Sequence, residues 1–222
     1  MPYALRLGTR SAFGGGWNNC MPTDILADMY ELKDGSKFNW DDYFPGLTGD
    51  NQEMRTQIFG AVMSEDRKSV AQYPAQKDKI REAYENRDPR LEQTLITPYS
   101  HILGCNGRDP LMMEYVISTT AVSNSDGFIR DNLSHYNYYW RKFLPEGDMN
   151  GMLLDRSHSP VDFPLIRYAD VLLMLAECYN EQNRPDDAIS MINQVRQRPS
   201  TNMPALNSGA TSVSYTHLTL PT

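Results

Sequence analysis

No run of about eighteen apolar residues occurs anywhere in the 222 residues, so the sequence holds no candidate membrane-spanning helix. Cysteine is scarce. Cys20, Cys105 and Cys178 stand far apart and form no CxxC pair, which argues against a disulfide framework and a zinc site. Positive charge is in deficit. With 21 Lys and Arg against 28 Asp and Glu, the net charge is −7, and most of such a surface repels a phosphate backbone. Nucleic acid is therefore not an expected partner. The opening MPYALRLGTRSAFGGG has neither the basic start nor the long apolar run of a signal peptide. Catalytic signatures are missing too: no GxSxG, HExxH, P-loop or GxGxxG is present, and no enzyme activity or cofactor is expected. NSDG at 124–127 resembles the middle of a calcium loop. Val122 and Leu133 would then fill ligand positions one and twelve, which they cannot do, so a plain turn is expected and no metal. No internal repeat is visible.

What is present is an ordinary globular composition, 40% hydrophobic and 22% charged. PTDILADMYEL, 22–32, reads as a helix with Ile25, Leu26 and Met29 on one face, stopped by Asp34-Gly35. Further helices are expected near 51–63 and 77–86, and a strand at 91–97. From there to about 160, frequent Gly, Asn and Pro predict short strands and turns at most. The best-patterned stretch is VDFPLIRYADVLLMLAECYNEQ, 161–182. Leu165, Tyr168, Leu172, Leu175, Ala176 and Tyr179 recur at helical spacing, with Pro164 in the first turn. Cys178 falls on that face and is expected in the core. After a short polar turn, Pro185 opens a second helix with Asp186 and Asp187 in its first turn. Its apolar face is Ala188, Ile189, Ile192 and Val195, and Pro199 stops it. So short a turn requires antiparallel packing. Two faces this wide call for a third layer, which the sequence after the pair does not supply.

Aromatic residues in loops are the one pointer to a ligand. Trp17 lies beside Asn18 in a glycine-rich loop, and Trp40 and Tyr43 crowd FNWDDYFPG, 38–46. A flat ring stacks on the apolar face of a sugar, and Asn or Asp bonds its hydroxyls. Trp17, Asn18, Trp40 and Tyr43 are accordingly the carbohydrate-binding candidates. The alternative for each ring is a core role with a satisfied polar edge. A third cluster, Tyr136, Tyr138, Tyr139 and Trp140, fits the core role better.

The final residues change character: SVSYTHLTLPT contains no charged side chain. VSYTHLTLPT, 213–222, resembles one reading frame of the transposase adapter used in shotgun libraries. Residues 212–222 are read as an artefact tail, and the natural chain is expected to continue past about Thr211 with the missing layer.

FPLIRYADVLLMLAECYNE followed by DDAISMINQVRQR resembles the signature of SusD/RagB outer-membrane lipoproteins. PTDILADMYELKDG, YENRDPRLEQTLITP and YYWRKFLPEG resemble three further segments of that family, in its order. The resemblance implies a mostly α-helical fold with irregular loop-rich regions and tetratricopeptide-like helix pairs. On that basis 1–160 is a loop-rich ligand-face region and 161–211 the helix pair that begins the last such unit. It further implies a lipid anchor on a cysteine after a signal peptide, and a place on the outward face of the outer membrane. The implied partner is a TonB-dependent, SusC-like β-barrel transporter. The implied role is nutrient uptake and polysaccharide utilisation: capture of a glycan and its hand-over, with starch, another glycan or peptide all compatible. No ligand residue carries over by motif. Arg167, Tyr168, Asp170, Leu172, Glu177, Ile192 and Val195 are expected to have structural roles in the helix pair, with Arg167 and Asp170 one turn apart and able to pair. Replacing Arg167 with alanine is expected to lower the melting temperature and leave ligand binding alone. The competing reading is a helical-repeat scaffold that binds only protein or peptide. Burial of Trp17 and Trp40 would favour it, and their exposure the glycan reading.

Overall fold

A computed structural model describes residues 7–8, 20–47, 52–106, 109–119, 128–131, 138–142, 144–146, 161–162 and 164–207. Among them are six α-helices and seven β-strands. The helices are α1 (Asp24–Asp28), α2 (Gln52–Phe59), α3 (Lys77–Glu85), α4 (Arg90–Thr94), α5 (Tyr168–Glu181) and α6 (Pro185–Arg196). The strands are β1 (Val62–Met63), β2 (Val70–Gln72), β3 (Leu95–Ile96), β4 (His101–Asn106), β5 (Asp109–Ile117), β6 (Phe128–Asp131) and β7 (Tyr139–Trp140). The mostly-helical expectation is met in part, since strands accompany the helices among the described residues. Residues 91–97 divide between the end of α4 and the short β3, and β5 runs for nine residues where only short strands were expected.

The chain divides into two compact units. One comprises Met1–Ala27, Asn39–Glu85 and Glu92–Phe163. Its largest sheet has the order β4-β5-β6, with β4 antiparallel and β6 parallel to β5. Residues 113–117 of β5 are buried without interruption, so this stretch is covered on both faces. β1 pairs with β2, and β3 with β7. Helix α3 buries Ile80, Ala83 and Tyr84, the i, i+3, i+4 face of an amphipathic helix. Arg141, from the segment YYWRKF, ties separate pieces together. It donates to the carbonyl oxygens of Glu92 and His101 and pairs with Glu146 at 2.5 Å.

Glu92 also accepts from Arg81 at 2.8 Å and from Thr97 at 2.9 Å. Burial pushes its carboxyl up. The hydrogen bonds from Arg81 and Thr97 and the charges of Arg81 and Arg141 outweigh that and hold it below the usual range. A depressed folded-state pKa contributes stability that is present above the unfolded value and lost as pH falls through the folded one. Acid titration of Glu92→Gln is therefore expected to show a shallower loss of stability below about pH 4.3 than the wild type. Parallel curves for the two proteins would refute this.

The other unit comprises Asp28–Phe38, Asn86–Leu91 and Pro164–Thr222. The helix pair thus shares its unit with two earlier segments that the sequence reading put in the ligand-face region. Helix α5 starts at Tyr168, so Pro164 lies before the helix and not in its first turn. Arg167 is its N-cap, and the Asp170 carboxylate accepts the Arg167 backbone N–H at 3.0 Å. This is half of a capping box, because a guanidinium has no acceptor for the reciprocal bond. Helix α6 starts with Pro185, as its sequence predicts. Asn183 takes a left-handed φ of 58° in the turn, a conformation Asn tolerates.

The seam between the helices is built on small residues. Ala169 and Leu172 pack with Val195, and Ala176 with Ala188 and Ile192, so the helices run antiparallel. Of the predicted face of α5, Leu172, Ala176 and Tyr179 lie in this seam, and Leu165, Tyr168 and Leu175 do not. Tyr168 is 73% exposed and Leu165 91%, while Leu175, Cys178 and Glu177 are also exposed. The side that carries Ala169, Leu172 and Ala176 approaches α6, and Tyr168 and Leu175 are left exposed.

Candidate functional site

The loop Asn39–Leu47 is the one candidate aromatic loop within the described residues. Its sequence alternates what the core needs with what solvent tolerates. Trp40, Phe44 and Leu47 are buried, while Asn39, Asp41 and Asp42 are exposed and Tyr43 is half-buried. A 3-10 turn, Trp40–Asp42, sets that alternation. Asn39 caps it by accepting the Asp41 N–H at 3.1 Å, and Asp41 closes the loop by accepting the Gly46 N–H at 2.8 Å. Gly46 itself sits at a φ of +87°, which a side chain would strain.

Trp40 is not available to a sugar. It is 3% exposed and meets Phe59 and Tyr84 edge-on, at 5.6 Å and 5.5 Å between ring centres. Tyr84 in turn packs edge-on against Tyr138, and their hydroxyls lie 3.0 Å apart. Edge-to-face packing of this kind favours a buried, ordered array over an open stacking platform. The carbohydrate-stacking assignment of Trp40 is corrected to a core anchor that positions the loop. Tyr43 remains on the partly open side of that loop. Trp17 and Asn18 lie outside the described residues.

Several of the residues that carry the motif resemblance come together elsewhere, in the unit of the helix pair. Asp88 accepts from the Arg90 guanidinium at 2.5 Å and from the Arg90 backbone N–H at 2.9 Å, and both residues are buried. Its own N–H donates to the Glu31 carbonyl oxygen at 2.8 Å. Arg87 donates to the Tyr30 carbonyl oxygen at 2.9 Å and lies 3.4 Å above the Phe38 ring. Arg196 pairs with Glu31 at 2.8 Å and donates to the Pro204 carbonyl oxygen at 2.9 Å. Gly35, at a φ of +84°, passes where an added Cβ would meet Arg196 Nη2 at 3.4 Å. MYELKDG, NRDPRL and VRQR thus interlock through charge-assisted bonds. This role of Arg196 was not read from the sequence. The missed signal is the density of Arg in NRDPRL and VRQR, with Glu31 and Asp88 in MYELKDG and NRDPRL to pair with it.

Part of the third layer that the helix pair needs is therefore supplied by earlier chain and by the segment after α6. Asn193 brackets Leu206, donating to its carbonyl oxygen at 3.0 Å and accepting its N–H at 2.8 Å. Burial and the neighbouring charges of Arg90 and Arg167 push the Arg198 guanidinium below its usual range, while Asp88 opposes them. Among the described residues no group of three or more His, Cys, Asp or Glu is placed to hold a metal ion, and no helix is long and apolar enough to cross a membrane.

The fold of the chain is similar to that of solved SusD-like proteins. A SusD-like carbohydrate binding protein of Bacteroides fragilis superposes with a TM-score of 0.52 at 24% identity, over 92% of this chain and 33% of its own. A second SusD-like protein of Bacteroides fragilis gives a TM-score of 0.55 at 14% identity, over 96% of this chain and 35% of its own. The model of the SusD family matches residues 5–212, and the chain belongs to that family. SusD-like protein P38 of Formosa agariphila is 31% identical over 91 residues, 37% of this chain and 18% of that protein. The chain thus spans about a third of the solved relatives and less than a fifth of P38.

Proposed function

We propose that the chain is part of a non-enzymatic surface protein that captures a glycan and passes it to a TonB-dependent, SusC-like β-barrel transporter. Membership of the SusD family carries this reading. The carbohydrate binding named for one Bacteroides fragilis relative supports it. Attachment to the outward face of the outer membrane would be by a lipid anchor, and α5 and α6 would begin a tetratricopeptide-like unit. Of the candidate rings within the described residues, Tyr43 is the one left partly open to meet a sugar. It has polar neighbours in Asp41 and Asp42, and Trp40 holds the loop from beneath.

The test is a glycan panel titrated calorimetrically against the full-length protein and its Tyr43→Ala variant. One glycan is expected to bind, with affinity about tenfold lower in the variant, a loss of roughly 1.4 kcal/mol. Its melting temperature should be unchanged. Binding of peptides and of no glycan would replace this reading with the second one.

That second reading is a helical-repeat scaffold that binds protein or peptide. Two observations favour it. Trp40 is buried, and Ile166, Tyr168, Val171 and Met174 are exposed on and beside α5.

A further inference from the structure

Glu114 is a carboxylate in the middle of the buried stretch of β5, 6% exposed. An ionised carboxylate in such a place needs a counter-charge and hydrogen bonds. It receives both from one small cluster. The Tyr73 hydroxyl donates to Oε2 at 2.6 Å, and Lys77 Nζ lies 2.5 Å from Oε1. The same ammonium sits 3.6 Å from the centre of the Tyr73 ring and 5.5 Å from that of Tyr99. The two rings meet edge to face at 6.2 Å. Tyr99 is held at a φ of 63°, unusual for a bulky residue, and its hydroxyl donates to the Phe59 carbonyl oxygen. Two ring faces and a carboxylate around one ammonium are the elements of a cation-binding cage. The lysine that fills this cage comes from the first turn of α3, and its side chain is 28% exposed, so the cage opens to solvent.

We propose that Tyr73, Tyr99 and Glu114 form a binding site for a primary ammonium group, which Lys77 occupies from within the chain and an amine-bearing ligand takes in its place. The site discriminates by chemistry. The rings attract a cation through their quadrupoles, and the carboxylate prefers a compact ammonium able to donate hydrogen bonds. An amino sugar and a lysine side chain both present that group. Lys77 competes at an intramolecular effective concentration of about millimolar or more, so an external amine has to exceed it. This inference does not depend on the glycan reading, since the cage is defined by its own side chains.

The experiment is chemical rescue in the full-length protein. Lys77→Ala leaves Glu114 without its counter-charge and is expected to lower the melting temperature by several degrees. Methylammonium at about ten millimolar should restore most of that loss. Glucosamine and a lysine methylamide are the two larger probes, and whichever rescues better identifies the source of the amine. N-acetylglucosamine and glucose should do nothing. Lys77→Met fills the cage without charge and should not respond to amines, and neither should Lys77→Ala combined with Glu114→Gln. The wild type should bind methylammonium at least tenfold more weakly than Lys77→Ala. Rescue by neutral sugars as well as amines, or no rescue of Lys77→Ala by any amine, overturns the proposal. So does equal rescue of the double variant.

Discussion

Asp88→Ala is expected to destabilise the protein by about 3–5 kcal/mol, the usual cost of stripping one partner from a buried ion pair. Asp88 and Arg90 are both buried, and the guanidinium contacts both carboxylate oxygens. Deleting the carboxylate leaves the Arg90 charge in a site from which water is excluded. It also removes the acceptor of the Arg90 backbone N–H, and with it the anchor of the first turn of α4. Urea unfolding of the full-length protein measures the change. Adding Arg90→Met should recover much of the loss, since replacing both partners by apolar groups avoids the unpaired charge. A single variant that unfolds like the wild type would mean that the ion pair is dispensable. The NRDPRL segment would then have some role other than holding its unit together.

Trp40→Ala is expected to cost a similar amount, about 3–5 kcal/mol, as large aromatic truncations in packed cores do. The indole fills space among Phe44, Phe59 and Tyr84, and its removal leaves those rings without partners on one side. Trp40→Phe should recover part of the stability. The contrast with Tyr43→Ala separates the two roles in one loop: the first variant loses stability, the second only affinity. If Trp40→Ala kept its melting temperature and lost glycan binding, the ring would be a binding surface, as its loop sequence first suggests.

These variants mark where sequence patterns are informative. Capping and helix-start signals are local, and they work for α6: Pro185, Asp186 and Asp187 stand where predicted. The helix expected near 77–86 is likewise found, as α3, Lys77–Glu85. Local signals do not say which side of a broadly apolar helix is covered. Along α5 the predicted face takes in Tyr168 and Leu175, which are exposed, and omits Ala169, which lines the seam with Leu172 and Ala176. Small side chains let two helix axes approach closely, and burial then follows distance more than residue size. Cys178 was misplaced for the same reason.

The candidate site divides in the same way. A loop of alternating aromatic and acidic residues reads equally well as a sugar platform or as a core anchor with a polar rim. Only the positions of Phe59 and Tyr84, far from Trp40 in sequence, decide between them.

By itself the sequence determined the family, through ordered segments that match it, and the existence of the helix pair, through periodicity and caps. It also determined the net charge of −7, because net charge is a sum over residues and needs no coordinates. Tertiary structure alone decided that residues 28–38 and 86–91 join the helix pair in one unit. It alone decided that Trp40 is core and that Glu114 finds Lys77. Each of these rests on a contact between residues distant in sequence. Such contacts are set by which surfaces exclude water together, and no short window of sequence contains that information.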